Sequence, residues 1–308
     1  MRVLSTLLVL GLLGGTAAAF AITEGLKLEK SPITRTRVTK LFSPTCGCAK
    51  DRAVVEFGLR RGDTVTATII RKDETVATLA RGEYFRRGRV RLIWDGRDRS
   101  GEAAPDGSYR VRVHLSRRHQ TITLPNTIEV DTRPPTITLK SVGPVVFSPD
   151  GDGRNDYVSV TFRVSESARP LLYVDGKLAG RGRIEGSGGK LNWFGKIDGK
   201  RFRPGVYRLS LRAEDRAGNL SQPSMPVAVR IRYVALGREL VQAAPSGRFA
   251  LRISSDAKHV RWLLHGRTGQ ARPGTLKLRA PKQPGRYILF VTAAGHSQKA
   301  VVIVKKRR

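Results

Sequence analysis

The sequence predicts an all-β chain: tandem β-sandwiches behind one N-terminal apolar helix. Three observations carry this. Short runs of strictly alternating apolar and polar residues recur throughout, the pattern of strands with one face on a core. Gly, Asp and Pro punctuate the runs at short intervals, and no stretch of useful length outside the N-terminal segment has helical periodicity. Finally, one phrase occurs twice. Phe42-Ser43-Pro44 leads to Trp94-Asp95-Gly96 and Asp106-Gly107-Ser108-Tyr109; later, Phe147-Ser148-Pro149 leads to Trp193-Phe194-Gly195 and Pro204-Gly205-Val206-Tyr207. Pro284-Gly285-Arg286-Tyr287 is a fainter third echo. Repetition on this scale points to serial domains rather than one large core.

The N-terminal element, 1–33, starts with Met1-Arg2 and an apolar run from Val3 to Ile22. A basic start, an apolar stretch and small residues describe an export signal. Ala17-Ala18-Ala19 and Ala19-Phe20-Ala21 both fit small-x-small cleavage. The run, roughly 20 residues long, also suffices to span a bilayer uncleaved. Signal peptide and signal anchor both stay open, and no Cys ends the run to make a lipoprotein anchor. Either way the remainder is expected outside: anchored on the cell membrane, secreted, or associated with the cell wall.

The first domain, 34–132, contains the alternating run Tyr109-Arg110-Val111-Arg112-Val113-His114-Leu115. It ends at Arg133-Pro134-Pro135, a pair of prolines between two strand patterns. Proline removes ladder donors and stiffens the chain, which suits a short linker. The second domain, 133–231, carries Val158 to Val164 and Tyr207 to Ala213, both alternating. The boundary beyond it falls near Arg232, where one strand feeds straight into the next domain. The third, 232–308, reads as a smaller sandwich with strands at Arg248–Ile253, Val260–Leu264 and Tyr287–Val291, then a basic tail.

Two aromatic pairs have structural roles in this reading. Tyr109 and Tyr207 each open a strand after a Gly turn, like the tyrosine corner of immunoglobulin-like (Ig-like) sandwiches. Trp94 and Trp193 end the preceding strands and are expected to plug the cores; an exposed, sugar-binding platform is the alternative. The ordered set Phe-Ser-Pro-Asp-Gly-Asp-Gly-x-Asn-Asp at 147–156, Trp-Asp-Gly at 94–96 and x-Gly-x-Tyr at 106–109 and 204–207 resembles the FlgD/Vpr Ig-like domain family. The second copy runs into Ala213-Glu214-Asp215-Arg216-Ala217-Gly218-Asn219, similar to the ending of many bacterial surface Ig-like domains. The resemblance covers about residues 36 to 231. It implies accessory β-sandwiches on exported bacterial proteins. The family's hook-capping and protease activities do not carry over, because neither the hook-docking region nor a catalytic domain is present.

The two copies diverge in one turn. Asp150-Gly151-Asp152-Gly153-Arg154-Asn155-Asp156 gathers Asp150, Asp152, Asn155 and Asp156 in a Gly-rich loop. Hard cations such as calcium want six to eight oxygens, and glycines let the backbone wrap and offer carbonyls. Arg154 excludes an EF-hand loop, because it stands where an oxygen ligand is needed. The competing reading is an Asx-type turn with side chains bonded to local backbone. In the first copy Asp150 becomes Thr45, Asp152 becomes Gly47, Asn155 becomes Lys50, and Gly151 and Gly153 become Cys46 and Cys48. These are the chain's only cysteines. Export favours a disulfide between them; intermolecular bridging, a redox dithiol and half a metal site are the rivals.

Charge bounds the partners. Lys and Arg number 57 against 25 Asp and Glu, a formal net charge of +32. Anionic polymers are the expected partners: nucleic acid, anionic lipid or acidic cell-wall polymers, with compositional drift toward Arg as the bland alternative. Arg89 with Arg91, Arg110 with Arg112, and Arg208 with Arg212 fall on outward strand positions. Charge spread over many faces suits non-specific docking better than sequence reading of nucleic acid. The five histidines, His114, His119, His259, His265 and His296, have no nucleophile or second ligand at a telling spacing, and no phosphate loop or G-x-S-x-G occurs. The expectation is a non-enzymatic structural or adhesive protein of the bacterial envelope, without a cofactor beyond calcium. The alternative is a module for one protein or glycan, serving another exported protein; oligomeric state stays open.

Overall fold

A computed structural model describes residues 10–18, 20, 31–184 and 186–305. Residues 10–18 are helical and exposed. Among the described residues no helix is long and apolar enough to cross a membrane. Most of the predicted signal or anchor segment lies outside the described residues, as do the last three residues of the basic tail.

The chain divides into two compact units, 1–132 and 133–308. In the first, eight strands follow one another: β1 (Ile33–Val38), β2 (Leu41–Phe42), β3 (Ala53–Leu59), β4 (Asp63–Arg71), β5 (Glu74–Phe85), β6 (Gly88–Trp94), β7 (Gly107–Leu115) and β8 (Gln120–Val130). They form a three-stranded sheet, β1-β3-β6, and a five-stranded one, β2-β8-β7-β4-β5. All pairings are antiparallel except β2 with β8. Alternation fixes the faces: Ala53, Val55, Phe57 and Leu59 of β3 point inward, as do Tyr109, Val111, Val113 and Leu115 of β7. Burying an aliphatic or aromatic side chain contributes about 1.5–3 kcal/mol.

The second unit holds two cores. Its first sandwich contains β9 (Ile137–Gly143), β10 (Val146–Phe147), β11 (Val158–Val164), β12 (Ala168–Val174), β13 (Lys177–Arg181), β14 (Gly188–Trp193), the small hairpin β15 (Lys196–Ile197) and β16 (Lys200–Arg201), β17 (Gly205–Asp215) and β18 (Val227–Ile231). Sheets β14-β11-β9 and β10-β18-β17-β12-β13 repeat the three-plus-five pattern. The third sandwich has β19 (Ala235–Leu236), β20 (Leu240–Ala243), β21 (Arg248–Ser254), β22 (Val260–Leu264), β23 (Arg267–Ala271), β24 (Gly274–Arg279), β25 (Gly285–Ala293) and β26 (His296–Val304). Its sheets, β19-β21-β24 and β20-β26-β25-β22-β23, repeat the pattern again. Tyr233 packs in the second core and Val234 in the third, so one peptide bond separates them.

The repeated phrase has a physical basis. In each of the first two sandwiches the Phe, Trp and Tyr of the phrase pack together. Phe42 and Tyr109 lie 5.4 and 5.0 Å from Trp94, and Phe147 and Tyr207 lie 5.4 and 5.7 Å from Trp193. Each indole N–H donates to a backbone carbonyl three residues on, Arg97 at 2.9 Å and Lys196 at 3.2 Å. Gly96 and Gly195 have φ of +75° and +64°, and a Cβ at either would sit 2.5 or 2.7 Å from Pro44 or Pro149. Glycine is thus required twice over, for its backbone and for the proline against it.

Candidate functional site

Trp94 and Trp193 are 1% and 2% exposed. The sugar-platform alternative for these two side chains is therefore corrected: they are core plugs. The exposed aromatic pair is elsewhere, Tyr157 against Phe194 with ring centroids 5.2 Å apart. The Tyr109 hydroxyl donates to the carbonyl of Pro105, and that of Tyr207 to Arg203 at 2.6 Å. Burial pushes both phenols above their ordinary pKa, so they stay donors. Tyr287 donates in the same way to Gln283.

The divergent turns share one frame. The Ser43 N–H donates to the Lys50 carbonyl at 3.1 Å, and the Ser148 N–H donates to the Asn155 carbonyl at 3.0 Å. Both serines are fully buried. Inside that frame the copies differ. Cys46 and Cys48 are joined by a disulfide, with Cα atoms 5.2 Å apart around Gly47 at φ +60°.

In the second copy one carboxylate oxygen each of Asp150, Asp152 and Asp156 lies within 4.8 Å of the others. The turn also satisfies itself. Asp156 accepts the N–H groups of Gly151 and Gly153 at 2.6 and 2.8 Å. Asp150 accepts that of Asp152 at 3.3 Å, and Asp152 that of Arg154 at 2.8 Å. Asn155 takes a left-handed φ of +44°.

A fourth carboxylate reaches this turn from the third sandwich. Asp256 accepts a hydrogen bond from the Ser148 hydroxyl, and its carbonyl lies 3.5 Å from Arg154. Partial burial, then the charges of Asp152, Asp256 and Asp156, hold the Asp150 carboxyl above the ordinary range, against the Asp152 N–H bond. Asp256 is about a hundred residues away in sequence, and no local signal marks it.

The basic surface lies where strand alternation puts it. Arg89, Arg91, Arg110 and Arg208 are exposed, and Arg112 and Arg212 half-buried. Four of these bond backbone or acid: Arg89 and Arg91 to Glu56, Arg112 to Asp73 at 2.7 Å, and Arg212 to the Ser221 carbonyl at 2.8 Å. The histidines do other work. His114 contacts the Thr121 hydroxyl at 3.0 Å, His265 packs edge-on against Tyr287, and His296 stacks on Tyr233 at 3.8 Å. Among the described residues no histidine belongs to a cluster of metal-ligating groups.

No family model matches the chain, and no curated protein matches it. Solved structures do resemble it. Fibronectin(III)-like modules of Clostridium thermocellum CbhA are 17% identical over 66% of this chain and 90% of theirs, with a TM-score of 0.35. A three-Ig fragment of titin, I67–I69, is 10% identical over 91% of this chain and all of its own, TM-score 0.30. A C-terminal fragment of intimin, solved with its receptor's binding domain, is 10% identical over 68% of each chain, TM-score 0.31. The chain is an all-β array of tandem Ig-like sandwiches.

Proposed function

We propose that the chain is a non-enzymatic binding protein exported to the bacterial cell envelope, where it docks on anionic polymers. One observation carries the reading: cationic side chains occupy outward positions of the sheets, far in excess of carboxylates, within a net charge of +32. Such a coat attracts anions along its whole length without one reading element. Export rests on the composition of residues 1–33, and membership of the FlgD/Vpr-type Ig-like domains on the motif residues alone. A calcium ion in the Asp150 turn is part of the same proposal. It would relieve the repulsion among Asp150, Asp152, Asp156 and Asp256, although hydrogen bonds already engage several of their oxygens. A second reading, a module for one glycan, is favoured by the exposed Tyr157–Phe194 pair beside those carboxylates.

Retention of the purified chain on isolated cell walls tests the first reading. Release by raised salt is expected, because screening shortens to about 3 Å at 1 M. Retention indifferent to salt, with loss on Tyr157→Ala, would replace it with the second.

A further inference from the structure

The outer face of β1-β3-β6 is more specialised than a general coat. Ile33 and Val38 both face the core although they are five residues apart, a spacing that simple alternation forbids. A β-bulge resolves the mismatch. Thr34 pairs with Gly58 and Arg37 with Glu56, so two residues of β1 oppose Phe57 alone. Arg35 sits in the bulge at φ +52°, a region where a long side chain is uncommon. The result exposes both Arg35 and Arg37.

Across β3, Arg37, Glu56 and Arg91 form one cross-strand row, with Arg89 one row away. Arg60 and Arg87 stand at the end of the face, and with Arg35, Arg37 and Arg89 they line a groove of about 930 Å³ that Gly58, Thr34 and Thr36 also line. Glu56 is the groove's one acid, with a side chain only 13% exposed. It pairs with Arg89 and with Arg91 at 3.5 Å. Arg35, Arg37 and Arg87 make no ion pair with a described carboxylate. Arg60 uses one N–H on the Ser31 carbonyl, leaving the rest of its fork.

We propose that this groove is the specific seat of a linear phosphodiester polymer without bases, an inference that rests on the docking function proposed above. Three features select that occupant. Guanidinium forks match tetrahedral oxoanions bidentately. The groove crosses three strands, roughly 10 Å from β1 to β6 by strand spacing, so arginines on both walls suit a run of charges rather than one ion. Its lining exposes no aromatic side chain on which bases could stack, while the Thr34 and Thr36 hydroxyls, which donate to the Gly58 carbonyl and to Asn126, keep acceptor lone pairs for a polyol.

The test titrates the full chain with a synthetic glycerol-phosphate oligomer across a salt series. The triple variant Arg35→Gly, Arg37→Ala, Arg87→Ala is expected to lose tenfold or more in affinity, and its salt slope to fall by about two, at roughly 0.7 per contact for a single-stranded polyanion. Arg35→Gly alone should weaken binding without lowering thermal stability, because glycine suits the bulge. Glu56→Gln should tighten binding by freeing Arg89 and Arg91. A control triple on the third sandwich, Arg252→Ala, Arg261→Ala, Arg279→Ala, removes equal charge elsewhere. Equal losses in both triples would overturn the groove while leaving the general coat intact. Absence of binding by the unmodified chain would overturn both. An oligo-dT of equal charge bound as tightly, with the same dependence on Arg35 and Arg37, would overturn the base-free polymer as occupant.

Discussion

The turns at 43–50 and 148–155 are the same backbone device closed in two chemistries. In both, a buried serine N–H reaches a carbonyl seven residues on, below a Phe–Trp–Tyr cluster and a glycine that accepts a proline against its Cα. The first copy fixes its turn covalently through Cys46 and Cys48. The second fills it with three aspartates, and receives Asp256 from the neighbouring sandwich of the same unit. The covalent closure stays within its own turn. The electrostatic one is coupled to another sandwich, so it can respond to pH or to a cation. The shared scaffold sets the fold, and the unshared fill sets what each turn answers to.

The largest effect should be common to both copies. Trp94→Ala and Trp193→Ala each remove a buried indole, at about 3–5 kcal/mol. Thermal unfolding followed by calorimetry should show Trp94→Ala lowering a transition of the first unit and Trp193→Ala one of the second. If either variant left unfolding unchanged, that tryptophan would not be holding its core. The third sandwich is the contrast, since its Trp262 is half-buried on β22 against Gly269 and ends no such phrase.

Most strands were legible because each sheet has one dry face, and alternation reports that directly. Val158 to Val164 and Tyr109 to Leu115 read as strands for this reason. The Trp and Tyr roles were legible because a repeat isolates them. The bulge at Arg35 was not read, although its signal was present: apolar Ile33 and Val38 an odd number of residues apart. The third sandwich reads as a smaller unit without the Phe-Ser-Pro opening, yet it has the same three-plus-five sheets. Asp256 could not be read at all, because its meeting with Asp150 is a product of packing between sandwiches.

Asp150 offers a way to separate the two turns. A carboxyl held above its ordinary pKa of 3.8 gives a stability term that is present below that value and lost as pH rises through the folded pKa. The second unit should therefore gain stability on mild acidification through this group, and Asp150→Asn should remove that gain. If calcium fits the cluster, adding it at a hundred times its dissociation constant should stabilise the second unit by about 2.7 kcal/mol. Asp150→Asn should abolish that shift, while Cys46→Ser should not touch it. No shift with calcium in the unmodified chain would leave the self-bonded Asx turn as the sole account.

The smallest effect is expected where the chemistry is strongest. A disulfide spanning three residues removes little chain entropy, roughly 1.5 kcal/mol by the loop-closure relation, about half that of a 15-residue loop. Reduction should therefore lower the first unit's melting temperature only slightly, and Cys46→Gly with Cys48→Gly, which copies the second turn's Gly151 and Gly153, should cost a similar amount. Amide exchange should localise the change to residues 43–51, where Ser43, Cys46 and Asp51 donate the turn's backbone bonds. Mass spectrometry of protein purified without reductant supplies the complementary check: two free thiols would mean that the serine-to-carbonyl bond alone closes this turn. A collapse of the first core on reduction would show instead that the covalent closure carries load well beyond its own loop, making the two turns unlike in depth as well as in chemistry.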